Sequence, residues 1–390
     1  MSTRFIPGPA RPDTLARRME RGGKRLLSGW LAACVRPAPL DPSYLRHASV
    51  RRLVVIRQHN QLGDMVCALP ALHALRRAWP AAHLIFVASP LSEPLMSGHP
   101  DIDELLVFRK QEAWRPWKLA AFLRRLRSPR PDATVVLSTV SFSTTSALLA
   151  WATGAPMRVG GSSLPFGSHL SRAIFHLELP PGPTGVHETQ HHLAPMRALG
   201  FVTPETQPRL NVAPAALEDA RRRLNELAPG TGPLVLAHVG AGKSPNIWPA
   251  EQFAAVLEAL QSTDGARIVL IEGPSDAAAV NEVAARLRQA GRWRAPLPET
   301  VAALAAADLV VSNDTGIAHV AGAVGVPLVV VFGPTDAARW SPPGAHVHVV
   351  QSPTGSIADV EVASVLDATR AALRMRQAVA RDTQTLRDPG

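Results

Sequence analysis

Three short loops of this 390-residue chain carry side chains of the kinds that hold anions and move protons. In "RQHNQLGDM", Arg57, His59, Asn60 and Gln61 precede Gly63, which permits a tight turn, and Asp64, which stands where a helical stretch begins. A carboxylate there either caps the helix or faces outward, where it can take a proton from a hydroxyl. In "HVGAGKSPNIWP", Gly240 and Gly242 allow close backbone approach and Lys243 is available to a phosphate, although the loop matches neither a Walker loop nor the full dinucleotide fingerprint. In "SNDTGIAH", Asn313, Asp314, Thr315 and Gly316 lie between an apolar run and a helix, with His319 one turn in. Unbonded N–H groups and the positive end of the helix dipole suit an anion there; a plain N-cap is the commoner use of such residues. Thr335 in "FGPTD" follows the next apolar run. Glu272, ending "ARIVLIEG", is placed for ribose hydroxyls, with Asp276 as an alternative.

Positioning these loops requires strands that end at one edge. The segments "RRLVVIRQ", "HLIFVAS", "ELLVF" and "ATVVLST" read as strands that are apolar throughout, as in a parallel sheet covered on both faces. They alternate with the helical patterns "DMVCALPALHALRRAWP", "WKLAAFLRRLR" and "SFSTTSALLAWATG", and Pro70 should kink the first of these. The alternation restarts at "PLVLAHVG" after a Pro-rich polar break and closes with "HVHVVQ" and the helix "VASVLDATRAALRMRQAVA". This predicts an α/β protein of two doubly wound domains: 51–205, a linker over 206–215, and 216–376, with a tail over 377–390. Residues 1–50 form a basic, amphipathic N-terminal extension. Within it Arg17, Arg18, Arg21, Lys24 and Arg25 accompany Leu26, Leu27, Trp30, Leu31 and Val35, a composition suited to an anionic membrane surface.

With 46% hydrophobic and 18% charged residues, the chain has ample core material. Cys34 and Cys67 are its two cysteines, too few for a disulfide framework, and no segment resembles a secretory signal or membrane span, so a cytoplasmic location is expected. The net charge of +10 suits phosphorylated or lipid partners. A nucleic-acid partner is not expected, because aromatic content is 5% and no recognition module occurs.

"RQHNQLGDMVCALPALHALRRAWP", "HVGAGKSPNIWPAEQFAAVLEAL" and "SNDTGIAHVAGAVGVPLVVVFGPTDAARW" resemble, in order and spacing, motifs of glycosyltransferase family 9, the bacterial ADP-heptose:lipopolysaccharide heptosyltransferases. The likeness covers about residues 50 to 375. It implies the GT-B fold: two Rossmann-like domains facing a central cleft, acceptor on the first, donor sugar nucleotide mainly on the second, and a last helix crossing back. It also implies an inverting transferase with no required cofactor or metal, Asp64 as the general base, and Asp314, Thr315, Gly316 and His319 as donor-site residues. Gly240, Lys243, Glu272 and Thr335 complete the expected donor side, and Arg57, Asn60 and Gly63 the acceptor side. The expected substrates are ADP-heptose or another sugar nucleotide and a lipid-linked saccharide, met at the inner face of the cytoplasmic membrane. A sugar-nucleotide epimerase or hydrolase on the same fold, or a non-catalytic sugar-nucleotide-binding protein, is the alternative. Two departures stand out: the first loop is one residue longer than in many members, and Asn246 replaces a lysine, a charge Lys243 could supply. "HETQH", His187 to His191, matches the zinc-protease pattern HExxH, but no third-ligand motif is nearby and the family begins a helix with this histidine. Glu188 and His192 are expected to be solvated or interdomain polar residues.

Overall fold

The structure is a computed structural model that describes residues 37–58, 61–137, 142–166 and 168–387, with side chains to residue 376. The amphipathic segment between Leu15 and Val35, and His59 and Asn60, lie outside the described residues. The first half runs α1 (Pro42–His47), β1 (Arg52–Arg57), α2 (Leu62–Cys67), α3 (Leu69–Ala78), β2 (His83–Ala88), α4 (Glu93–Met96), β3 (Glu104–Val107), α5 (Pro116–Arg127), β4 (Ala133–Val136), α6 (Thr144–Ala152), β5 (Met157–Gly161), α7 (Leu170–Ile174), β6 (Leu177–Leu179) and α8 (Glu188–Ala198). Its strands pair in parallel in the order β3-β2-β1-β4-β5-β6.

The second half follows the same plan: α9 (Pro214–Leu227), β7 (Leu234–His238), α10 (Ala250–Asp264), β8 (Arg267–Ile271), α11 (Ala277–Ala284), β9 (Gly291–Trp293), α12 (Leu297–Ala306), β10 (Leu309–Asn313), α13 (Gly316–Val324), β11 (Leu328–Phe332), α14 (Ala337–Trp340), β12 (Val347–Gln351) and α15 (Val362–Arg387). Its parallel order is β12-β11-β10-β7-β8-β9. Each sheet therefore changes winding direction once, between β1 and β4 and between β7 and β10. At such a switch point the connections leave toward opposite faces and open a crevice beyond the carboxyl ends of the strands. The central strands are apolar on both faces because helices cover both: Leu53 to Ile56 and Leu328 to Phe332 are fully buried. One continuous apolar cluster joins Leu53, Met65 and Leu72 of the first half to Val310, Ala318 and Phe332 of the second, so the halves share a core layer.

Three expectations change. The helix expected to kink at Pro70 is two helices, α2 and α3, parted at Ala68 (φ −88°, ψ −9°) with Pro70 in the first turn of α3, where its missing N–H costs nothing. Helix α9 begins at Pro214, inside the stretch expected as linker; it buries Ala220 and Leu224, packs on α12, and lays Arg223 over the Trp293 ring at 4.4 Å. The expected tail is not separate either, since α15 continues to Arg387, packed against α10 and β10 to β12.

Candidate active site

The second-half site is organised by the amino end of α13. Thr315 is its N-cap (φ −146°, ψ 168°), the Oγ1 accepting from Ala318 N at 3.4 Å and lying 3.3 Å from His238 Nδ1. Asn313 is fully buried: its Nδ2 donates to the carbonyls of Val239 (2.9 Å) and Gly240 (3.3 Å), and its Oδ1 accepts from Trp248 N (3.2 Å), pinning the glycine loop to the end of β10. With capping and pinning assigned to its neighbours, Asp314 turns to the cleft. Asn246 Nδ2 donates to Asp314 Oδ2 (2.9 Å) and to Thr335 Oγ1 (3.3 Å). Asn246 thus joins two loops of this site through a neutral amide donor, while Lys243 brings positive charge to the same cleft. Burial raises the Asp314 carboxyl above its ordinary pKa, opposed by the Thr335 hydrogen bond and the charge of Lys243.

Across the cleft, Asp64 occupies the third position of α2, whose N-cap Gln61 makes no side-chain cap bond. The carboxylate sits in the cleft wall, 5% exposed. Arg57 does not reach an acceptor surface: it is buried beneath the wall, donating from Nη1 to Leu137 O (2.6 Å) and from Nη2 to Asp64 O (2.8 Å). Burial lowers its pKa, against the attraction of Asp64, Cys67 and Glu188, and it stays a guanidinium that braces the loop carrying Asp64.

Behind Asp64 lies a network that bears out the interdomain alternative for Glu188 and His192 and adds partners the sequence does not name. Arg57 Nη2 is 3.4 Å from His192 Nε2, which is 3.7 Å from Glu188 Oε1; Glu188 Oε2 accepts from Arg339 Nε (3.1 Å) and Nη2 (3.0 Å) of α14. Glu188 is fully buried, so it is not a solvated residue; it joins the halves. The HExxH reading fails on geometry. His187 is the N-cap of α8, outside the helix at φ −56° and ψ 141°, with Nε2 2.6 Å from Ser341 O, whereas His191 Nδ1 is 3.1 Å from Pro183 O. One ligand atom each from Asp64, Glu188 and His192 lie within 4.8 Å of one another, and the positive charges beside them are those of Arg57 and Arg339.

Helices α2 and α13 meet end to end between these two sites. A Cβ on Gly63 would stand 2.7 Å from His319 Cδ2, and one on Gly316 would stand 2.7 Å from Leu62 Cβ, so glycine on each side is what lets the helices approach. His319 is held against Cys67, its Nδ1 3.6 Å from the Sγ. Burial, reinforced by nearby His187, lowers the His319 pKa to about 4, and burial also pushes the Cys67 thiol up to about 12. At neutral pH both are uncharged.

Between the halves is a cleft of about 420 Å³ whose walls include Asp64, Lys243, Asn246, Asp314, Thr335 and Trp340, with Gly63, Thr315, Gly316 and His319 at its base. Two expected donor residues lie elsewhere. Glu272 lines a separate hollow of about 550 Å³ at the carboxyl ends of β8 and β9, where it pairs with Arg294. Gly240 is not part of the cleft lining; a Cβ there would overlap Asp276 Oδ1, so the glycine makes room for that side chain. Asp276 itself accepts from Gly273 N (2.9 Å) and pairs with His238 Nε2 (3.2 Å), the histidine contact holding its pKa below the ordinary carboxylate value. It ties the β7 and β8 loops together rather than facing a ribose.

Two parallel Rossmann-type sheets whose switch points open onto one shared cleft, with a carboxylate on one wall and a helix amino end on the other, make up the GT-B architecture. The sequence model of glycosyltransferase family 9 (heptosyltransferase) matches residues 119–369, and the chain belongs to that family. It is 26% identical over 286 residues to lipopolysaccharide heptosyltransferase 3 of Escherichia coli, covering 72% of this chain and 83% of the relative. Among solved structures, a family 9 glycosyl transferase from Veillonella parvula superposes with a TM-score of 0.74 at 22% identity, over 87% of this chain and 99% of that one. ADP-heptose lps heptosyltransferase II of E. coli gives 0.70 at 23%, over 84% and 99%. The chain is thus a glycosyltransferase with the fold expected from its sequence.

Proposed function

We propose that the enzyme is an inverting heptosyltransferase that moves heptose from ADP-heptose onto a hydroxyl of the lipopolysaccharide core or a related lipid-linked saccharide. The single observation carrying this reading is that Asp64 and the α13 amino end line the same cleft from opposite halves. Asp64 takes the proton from the acceptor hydroxyl as its oxygen attacks the anomeric carbon from the face opposite the departing diphosphate. Negative charge growing on the diphosphate is met by the N–H groups of the α13 first turn and by Lys243, so the step has its electrostatic partner without a metal. Neutral His319 supplies a hydrogen bond, not a charge, at the base of the cleft. The hollow beside Glu272 takes the nucleoside: Arg294 is 75% exposed and can swing away, leaving the carboxylate to accept from ribose hydroxyls.

Two solved structures of the E. coli heptosyltransferase WaaC hold ADP and ADP-2-deoxy-2-fluoro heptose, which supports a sugar-nucleotide donor, and the name of the lipopolysaccharide heptosyltransferase relative supports the acceptor class. No helix among the described residues is long and apolar enough to cross a membrane.

The test is sugar transfer from ADP-heptose to truncated lipopolysaccharide, paired with calorimetric donor binding. Asp64→Asn should lower transfer by about a hundredfold to ten-thousandfold while the donor affinity stays unchanged. Absence of transfer by the native enzyme, release of free heptose without acceptor, or an equal loss of donor binding in the variant would each reject the assignment.

A further inference from the structure

The first half carries an exposed aromatic and basic surface that the cleft chemistry does not use. Trp114 is 89% exposed and Trp117 70% exposed, the two most exposed large hydrophobic side chains among the described residues. They sit on a 3-10 turn (Lys110–Trp114) and on the first turn of α5, directly after β3. Burying two tryptophans in the domain would gain far more than leaving them in water, so their exposure calls for a partner. Around them the chain is strongly cationic: from Arg109 to Arg130 there are eight Arg or Lys residues and one acidic residue, Glu112. Arg109 pairs with Glu93 and Lys118 with Glu112, whereas Lys110, Arg115 and Arg124 have no carboxylate within ion-pair distance among the described residues. On α5, Trp117, Ala121 and Arg124 follow one another at helical spacing along the outer face.

We propose that this surface, built on Trp114 and Trp117 with Lys110, Arg115 and Arg124, docks the enzyme on an anionic lipid bilayer. Tryptophans whose rings sit at headgroup depth, flanked by cations that meet lipid phosphates, are the chemistry of a bilayer interface. The one-sided charge favours lipid over a protein partner: eight cations against one carboxylate from Arg109 to Arg130 suit a uniformly anionic surface. Position adds a second reason. The turn leaves the carboxyl end of β3, and Leu91, 50% exposed, leaves that of β2, so both lie on the sheet edge that carries Asp64. β3 is two strands from β1, which places the docking surface about 10 Å to the side of the cleft. An acceptor anchored in the same bilayer would present its saccharide beside Asp64. That purpose rests on the proposed function; the docking itself does not, and it is measured without sugar transfer.

The experiment is sedimentation of the full chain with phosphatidylcholine vesicles and with phosphatidylcholine–phosphatidylglycerol vesicles, at low and high salt, alongside donor binding. The native protein should sediment with the anionic vesicles and be released by salt. Trp114→Ser/Trp117→Ser should weaken vesicle binding by about tenfold or more, and Lys110→Ala and Arg115→Ala by about fivefold each. Melting temperature and ADP-heptose affinity should not move in any of these variants. The proposal is overturned if the native protein ignores anionic vesicles or binds neutral ones equally, or if the double tryptophan variant sediments like the native chain. Dissociation of a native dimer by the tryptophan changes, without vesicle binding, would also overturn it and make the surface a self-contact. Failure of ADP-heptose transfer with these vesicle results intact would reject the donor assignment and leave the docking surface standing.

Discussion

His319 provides a quantitative handle on the cleft. In the unfolded chain its imidazole titrates near 6.5; in the fold burial lowers it to about 4. Between these values the unfolded chain binds a proton that the folded enzyme refuses. Stability is therefore fully present above pH 6.5 and is lost as pH falls toward 4, with a slope of about 1.4 kcal/mol per pH unit and a total on the order of 3 kcal/mol. His319 is 5% exposed, so solvent screening takes little from that figure. The perturbation is His319→Asn, which removes the titration while keeping a polar side chain. Urea denaturation of native enzyme and variant across this window gives two curves of unfolding free energy against pH. His99 and His176, whose pKa values burial also lowers, act equally in both and cancel in the difference. The native-minus-variant difference should be constant above pH 6.5 and shrink steadily below it. A difference that stays flat down to pH 4.5 would refute a buried neutral imidazole and, with it, the tight α2–α13 contact that buries it.

Two other changes probe the same neighbourhood. Gly63→Ala forces the new Cβ against His319 Cδ2, and overpacking of this kind costs about 1–3 kcal/mol; transfer should fall at least about tenfold, and His319→Ala in the same chain should restore part of it, whereas no rescue would place the defect elsewhere. Asn246→Ala removes both donors that hold Asp314 and Thr335; calorimetry should show ADP-heptose binding weakened by roughly tenfold to a hundredfold, and an unchanged affinity would show that this bridge does not shape the donor site.

How much of this was legible in the sequence depended on how local the cause was. Nine of the twelve strands were readable because strands buried on both faces are continuous apolar runs, as "LVVVF" shows, and Gly-Asp and Asp-Thr-Gly announce loops at strand ends; β5, β6 and β9 were missed because "MRVGG", "LEL" and "GRW" are short and broken by charged or glycine residues. Helix α9 was obscured because two of its fourteen residues, Ala220 and Leu224, are buried, so its apolar stripe is narrow; Pro214 at its first turn was the available signal. "HETQH" misled because spacing counts positions without asking where the helix starts: with His187 as the cap, it does not share a helical face with His191. The sequence offered an interdomain role for Glu188 and His192, but the partners of the charge network could not be seen. Glu188 finds Arg339 151 residues away, Arg57 finds His192 135 away, and Asn246 finds Asp314 68 away, distances over which periodicity carries no information. The same holds for Glu272, whose strand-end position was right for a hollow of its own but silent about which hollow.

The reciprocal fit of Gly63 under His319 and of Gly316 over Leu62 bears on how such enzymes can be recombined. Exchanging whole domains between relatives is an obvious route to new donor and acceptor pairings, and a crossover in the linker would leave both sheets intact. Here the seam is not in the linker. Each half carries one glycine and one bulky residue whose partners belong to the other half, so a hybrid receives one member of each pair from either parent. A parent with a Cβ in place of either glycine would prop the cleft open however well its own sheet folded. Successful hybrids of this chain should therefore be built by transplanting the first turns of α2 and α13 together, treating them as one unit although 252 residues separate Gly63's neighbour Cys67 from His319.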